Sequence, residues 1–163
     1  MSLLERISPA AREGWMQHAL ALAQRAAAED EVPVGAVIVR DEKIIGEGWN
    51  RPIRDHDPTA HAEIMAMRAA GQALGNYRLS ECVLYVTLEP CLMCAGAMVH
   101  ARLDGLVFGA SDPKAGAVSS KFQVLTDNGL NHQVPWQGDV LGGQCGDLLR
   151  AFFRERRQAA GKS

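Results

Sequence analysis

Strands alternating with helices predict an α/β domain: a three-layer α/β/α sandwich built on a mixed, about five-stranded sheet. Three observations carry this. The runs "VGAVIV", "CVLYVTL" and "LDGLVFG" are strand-length and almost wholly apolar, as in a sheet buried on both faces. Helix-patterned segments separate them. The run "VGAVIV" is joined to a further β-rich run, "KIIGEGW", only by the polar "RDE", which reads as a hairpin and makes the sheet mixed, not parallel.

Ser8 followed by Pro9 is a helix start, a capping hydroxyl and then a residue whose fixed φ suits the first turn. Met16, Leu20, Ala23 and Ala27 follow at helical spacing, so helix one should end near Asp30. Val34–Val39 and Lys43–Trp49 are the hairpin strands, and "RPIRDHDP" is a polar loop. Thr59 is placed to cap a helix over Ala60–Leu74. Cys82–Leu88 is a buried strand, Pro90 opens the next helix, and Leu103–Gly109 is another strand. Residues 110–131 carry loop signals at Asp112–Pro113 and Asn128–Gly129. A short strand near "HQVPWQGDVL" and a terminal helix over about 144–158 complete the chain.

With 163 residues, 47% hydrophobic and 22% charged, the whole chain, 1–163, suits a single domain. Its beginning lacks the apolar stretch of a secretory signal, and no run approaches the roughly 18 apolar residues of a membrane span. A soluble, cytoplasmic protein with no membrane partner is the expectation. Four cysteines, two in a C-x-x-C pair, are no disulfide framework and point to metal or redox chemistry. From Arg150 onward five basic residues accompany one acid, whereas the preceding 149 residues sum to −6. A basic end on an acidic body suits a polyanionic partner, although basic residues also complement a helix dipole.

Cys91 and Cys94, three apart at a helix start, can grip one ion, and the helix N-terminus favours their thiolates. A thioredoxin-like redox pair has the same spacing but a different fold context. His61 begins another helix after a strand-loop unit. If the two helices are neighbours, the three donors converge into a set suited to zinc. Glu63 is two residues from His61, and positions i and i+2 do not share a helix face, so its carboxylate falls beside the metal grip and not within it. Two arrangements stay open here. Three protein ligands and a water make a catalytic zinc, with Glu63 as proton carrier. A fourth protein ligand makes a structural one, with His56 the main candidate before His100, Cys82 and Cys145.

H-A-E followed by P-C-x-x-C resembles the signature of the zinc-dependent nucleoside and nucleobase deaminases. "VPVGAVIV", "GEGWNRPI", "DPTAHAEI", "NYRL", "LYVTLEPCLMCAGAM", "VFGASDPKAGA" and "FFRERR" narrow the likeness, along nearly the whole chain, to the bacterial tRNA-specific adenosine deaminases. That resemblance implies a cytidine deaminase-like fold and one Zn2+ per subunit on His61, Cys91 and Cys94. It implies hydrolysis of adenosine to inosine at the wobble position of a tRNA anticodon, with Glu63 moving the water's proton to N1 and then toward the departing amino group. Asn50 would hydrogen-bond the target nucleotide, and the Ala62 N–H would orient the base edge. Arg156 and Arg157 would meet phosphates of the anticodon stem-loop, Phe153 would pack on a flanking base, and Arg51 and Asn131 would line the groove. A homodimer with sites near the subunit boundary is also implied. Pro113, in the loop near the pocket, would bear on its rim.

Two rivals share parts of this pattern. A deaminase of free cytosine, guanine or cytidine would use the same four residues, but has no evident use for the basic "FFRERR" helix. A non-catalytic zinc- and RNA-binding module would not need a carboxylate at position 63.

Overall fold

The computed structural model describes residues 1–127 and 129–161; Asn128, part of one expected turn, lies outside them. Five strands form one sheet in the order β2-β1-β3-β4-β5, with β1 over Gly35–Arg40, β2 Lys43–Trp49, β3 Val83–Leu88, β4 Gly105–Ala110 and β5 Trp136–Gln137. β1 is antiparallel to both β2 and β3, whereas β3, β4 and β5 are parallel. The helices are α1 (Pro9–Ala28), α2 (Ala62–Leu74), α3 (Leu92–Ala101) and α4 (Gly142–Gly161). Among the described residues no helix is long and apolar enough to cross a membrane.

Alternation along the strands divides the core in two. Ala36, Ile38, Leu84, Val86, Leu106 and Phe108 face α2 and α3, while Val37, Val39, Val83, Tyr85 and Val107 face α1 and α4. Both faces are therefore apolar, which is why the strands read as unbroken hydrophobic runs. The expected three-layer α/β/α arrangement and its mixed sheet are present.

Ser8 caps α1 as expected, its Oγ accepting the Ala11 N–H at 3.1 Å with Pro9 in the first turn. The buried stripe is Met16, Ala19, Leu20, Ala23 and Ala26; Ala27 is only partly covered. The hairpin closes through Asp41 and Glu42 alone, at φ 51° and 61°, since Arg40 still pairs with Lys43. Two left-handed residues suit the twist of the flanking strands.

Two helix starts differ from the sequence expectation. Thr59 does not cap α2: its N–H and hydroxyl both donate to Asp57 Oδ1, at 2.8 and 2.7 Å, and His61 is the N-cap. Pro90 does not open α3: Cys91 is the extended N-cap residue and Leu92 the first helical one. Neither His61 nor Cys91 uses its side chain to cap its own helix, so imidazole and thiol are available to each other. Gly48 sets how closely α2 approaches the sheet, because a Cβ there would lie 2.3 Å from the Ala62 carbonyl oxygen.

Candidate active site

Strand direction gathers the site. Gly35, at the start of β1, pairs with Trp49 at the end of β2, and its N–H donates to Thr87 Oγ1 near the end of β3. β3 and β4 are parallel, so their C-terminal ends share this edge, where α2 and α3 begin. Crevices at strand C-termini are where open α/β sheets place ligands.

His61 Nδ1 lies 3.6 Å from Cys91 Sγ and 3.6 Å from Cys94 Sγ. A tetrahedral zinc with bonds of about 2.0–2.1 Å to nitrogen and 2.3 Å to sulfur separates such donors by roughly 3.5–3.6 Å. The three residues fit that ion in chemistry and in spacing. Among the described residues no fourth His, Cys, Asp or Glu donor joins the set. His56 stays in its loop at φ 48°, His100 lies near the end of α3, Cys82 donates to the Ser80 carbonyl, and Cys145 packs by Gly109. This three-donor arrangement favours the catalytic alternative over the structural one.

Glu63 sits in the first turn of α2, 4% exposed and outside the donor set. Burial pushes its carboxyl up to about 7, against the opposing pull of a backbone N–H, the His61 charge and a hydrogen bond with Cys94. His61 is raised, chiefly by its bond with Cys91. The hydrogen bond with Cys94 takes Cys91 down to about 4, while that same bond and burial push Cys94 up. Glu63 and Cys94 lie in the first turns of α2 and α3, where the helix N-termini favour negative charge.

Residues 9–110 match the family model for the cytidine and deoxycytidylate deaminase zinc-binding region. The chain belongs to this deaminase family. It is 52% identical over 147 residues to the tRNA-specific adenosine deaminase of Haemophilus influenzae, covering 90% of this chain and 85% of that one. The similar protein of Streptococcus pyogenes serotype M1, also a tRNA-specific adenosine deaminase, is 42% identical, with 88% and 84% covered. A solved structure from a study of A-to-I editing by tRNA:A34 deaminases at the wobble position superposes with a TM-score of 0.81 at 42% identity, covering 83% of this chain and 99% of that one. The guanine deaminase of Bacillus subtilis, also 42% identical, covers only 61% and 64%, with a TM-score of 0.59.

Around the deaminase metal set, the structure redistributes several expected contacts. Asn50 is at the site, but its Oδ1 accepts the Ala62 N–H at 2.8 Å, so the N–H expected to orient a base is already engaged. Arg51 does not reach into open space: it pairs with Glu29 at 2.9 Å and Asp55 at 3.2 Å and lies over the Trp49 ring. Asn131 is not brought to the metal donors. Its carbonyl accepts from Arg102, the C-cap of α3, about 15 Å along the helix from the N-terminal end that carries Cys91. Arg156 bonds the Asp30 carbonyl and stacks over Phe152 at 4.7 Å. Phe153 is 44% exposed, and Arg157 is exposed on the same helix.

Sequence reasoning missed three buried or half-buried acids that hold the surrounding loops. Glu29 accepts from Trp49 and Arg51, and Glu31 accepts the N–H groups of Ile53 and Arg54. Glu89, 2% exposed, accepts from residues 112–120. Burial would raise Glu89, but Ser120 and the N–H groups of Ser119, Asp112 and Val118 hold it low. The available signal was an acid at the end of an apolar strand, directly before Pro90.

Proposed function

We propose that this chain is a zinc-dependent tRNA adenosine deaminase, converting adenosine to inosine at the wobble position of an anticodon. The observation that carries the reading is the three-donor set His61–Cys91–Cys94 with a buried carboxylate, Glu63, beside it and outside it. Zinc, when bound, supplies the Lewis acidity that makes water a nucleophile near neutral pH. Glu63 receives protons from that water, passing one to adenine N1 and one to the departing amino group, so ammonia leaves and inosine remains. With its Oδ1 bound to Ala62, Asn50 offers its amide NH2 to the substrate.

A polynucleotide substrate is supported by exposed apolar residues on segments bordering this edge: Ile53, Leu92, Phe122 and Phe153. Bases splayed from an anticodon loop can stack on such surfaces, and Arg157 is the basic side chain assigned to phosphate. Arg51 and Arg156 are assigned to holding the loop after β2 and the terminal helix. One Zn2+ per subunit, a homodimer and a cytoplasmic location complete the proposal, on the strength of the family likeness.

A second reading, deamination of free guanine, draws on the likeness to the guanine deaminase. Purified protein is incubated with total tRNA and, separately, with free bases and nucleosides, and the products are identified by mass. Inosine in tRNA alone is the expected result; xanthine from guanine with unaltered tRNA supports the second reading.

A further inference from the structure

Glu89 is a buried carboxylate with no cationic partner among the described residues, a costly arrangement unless hydrogen bonds replace water. Five donors do so, all from the segment that follows β4. Oε1 accepts the Asp112 N–H at 3.1 Å and the Ser120 hydroxyl; Oε2 accepts the N–H groups of Val118, Ser119 and Ser120 at 3.1, 2.9 and 3.0 Å. Gly116 lies so close that a Cβ would stand 2.4 Å from the Glu89 carboxyl carbon. Two further bonds fasten the same ground: Ala117 N–H to the Pro90 carbonyl and Glu89 N–H to the Ala110 carbonyl, both 2.8 Å. Pro90 leads directly into Cys91, and Ala117 and Val118 share a buried core with Cys94.

We infer that Glu89 is a positioning residue for the substrate: it wraps residues 112–120 around its carboxylate and fixes them, as a preformed rim, to the strand-to-helix junction that carries Cys91 and Cys94. Glu89 touches no reacting atom. A rim ordered beforehand spares the substrate the entropy of ordering it on binding. The rim presents the exposed Lys114, with Phe122 just beyond it, to a polyanion. The kinetic part of this inference rests on the tRNA reading above; the backbone part does not.

The test compares E89Q and E89D with the parent for zinc content, amide hydrogen exchange at residues 118–120, and KM and kcat on an anticodon stem-loop. Gln preserves volume but turns one oxygen into a donor aimed at other donors. Asp keeps the charge at the cost of reach. In E89Q one zinc per chain should remain, the three amides should exchange faster, and KM should rise on the order of ten-fold, more than kcat falls. E89D should recover part of both losses, whereas a space-filling role would make Gln the better substitute. Parent-like exchange and KM in E89Q overturn the inference, as does loss of zinc. If E89Q does not fold, G116A, which drives a methyl against the carboxylate, should show the same KM-selective loss, and an unchanged KM again overturns it. Absence of inosine from the parent's tRNA products counts against the functional reading alone, and the exchange comparison then decides the inference.

Discussion

The side-chain oxygen of Asn50 accepts the Ala62 N–H at 2.8 Å, tying the loop after β2 to the first turn of α2 beside His61. The bond divides Asn50 between scaffold and substrate. N50D keeps the oxygen but loses the amide donor; N50A loses both. N50A should lower Tm by roughly 2–4 °C, about 1 kcal/mol for a chain of this size. N50D should retain more of the Tm, yet both should lose on the order of ten-fold or more in kcat/KM on tRNA. Calorimetry and inosine assays check this; full activity in N50D removes the amide from the site.

Glu63 is buried but outside the donor set, so metal and chemistry should separate in its variants. E63Q and E63A should keep one zinc per chain while inosine formation falls by about 10² to 10⁴. Elemental analysis beside product mass tests this. Near-parental deamination would falsify the assignment.

Removing any of His61, Cys91 or Cys94 leaves two donors, too few for the ion. H61A, C91A and C94A should each purify with little zinc. In the parent, chelation should lower Tm, because an ion held at 100-fold over its Kd stabilises the fold by about 2.7 kcal/mol. An undiminished metal content in C94A contradicts the ligand set.

Arg156 is occupied by the Asp30 carbonyl and the Phe152 ring, whereas Arg157 is exposed. R157A should reduce the slope of log kcat/KM against log salt by about one, the signature of one lost phosphate contact. R156A should instead loosen the terminal helix. Hydrogen exchange in α4 separates the two, and an unaltered salt slope in R157A takes that residue off the RNA.

Glu29 is held below its ordinary 4.5, first by the indole N–H of Trp49 and then by Arg51 and Arg54, with desolvation opposing. A folded value below the unfolded one means the stabilisation is present above that range and lost as pH falls through the lowered value. The stability advantage of the parent over E29Q, measured by urea midpoints, should therefore be full above the ordinary value of 4.5 and shrink as the pH is lowered below it. An advantage independent of pH would mean the carboxylate's charge is not what holds the loop.

Much of the fold was legible because it is written in local periodicity. Apolar runs in Val83–Leu88 and Gly105–Ala110, the Ser8–Pro9 start of α1 and the short polar turn after β1 each constrain nearby backbone, and all lie where the patterns put them. Helix starts were less legible. Thr59 has the chemistry of a cap, but Asp57, two residues away, competes for it and wins.

From sequence alone came the order of elements, the kinds of donor at positions 61, 91 and 94, and the two-residue offset that keeps Glu63 out of their grip; each depends on spacing within a few residues. Tertiary structure decided the rest. The parallel pairing of β3 with β4 and the docking of α2 beside α3 brought His61 to a thiol pair thirty residues away. The same packing spent the Ala62 N–H on Asn50, engaged Arg51 and Arg156, left Asn131 at the far end of α3, and surrounded Glu89 with amides. A polar group's partner is chosen by distance in space once the core has closed, and no local pattern encodes that choice.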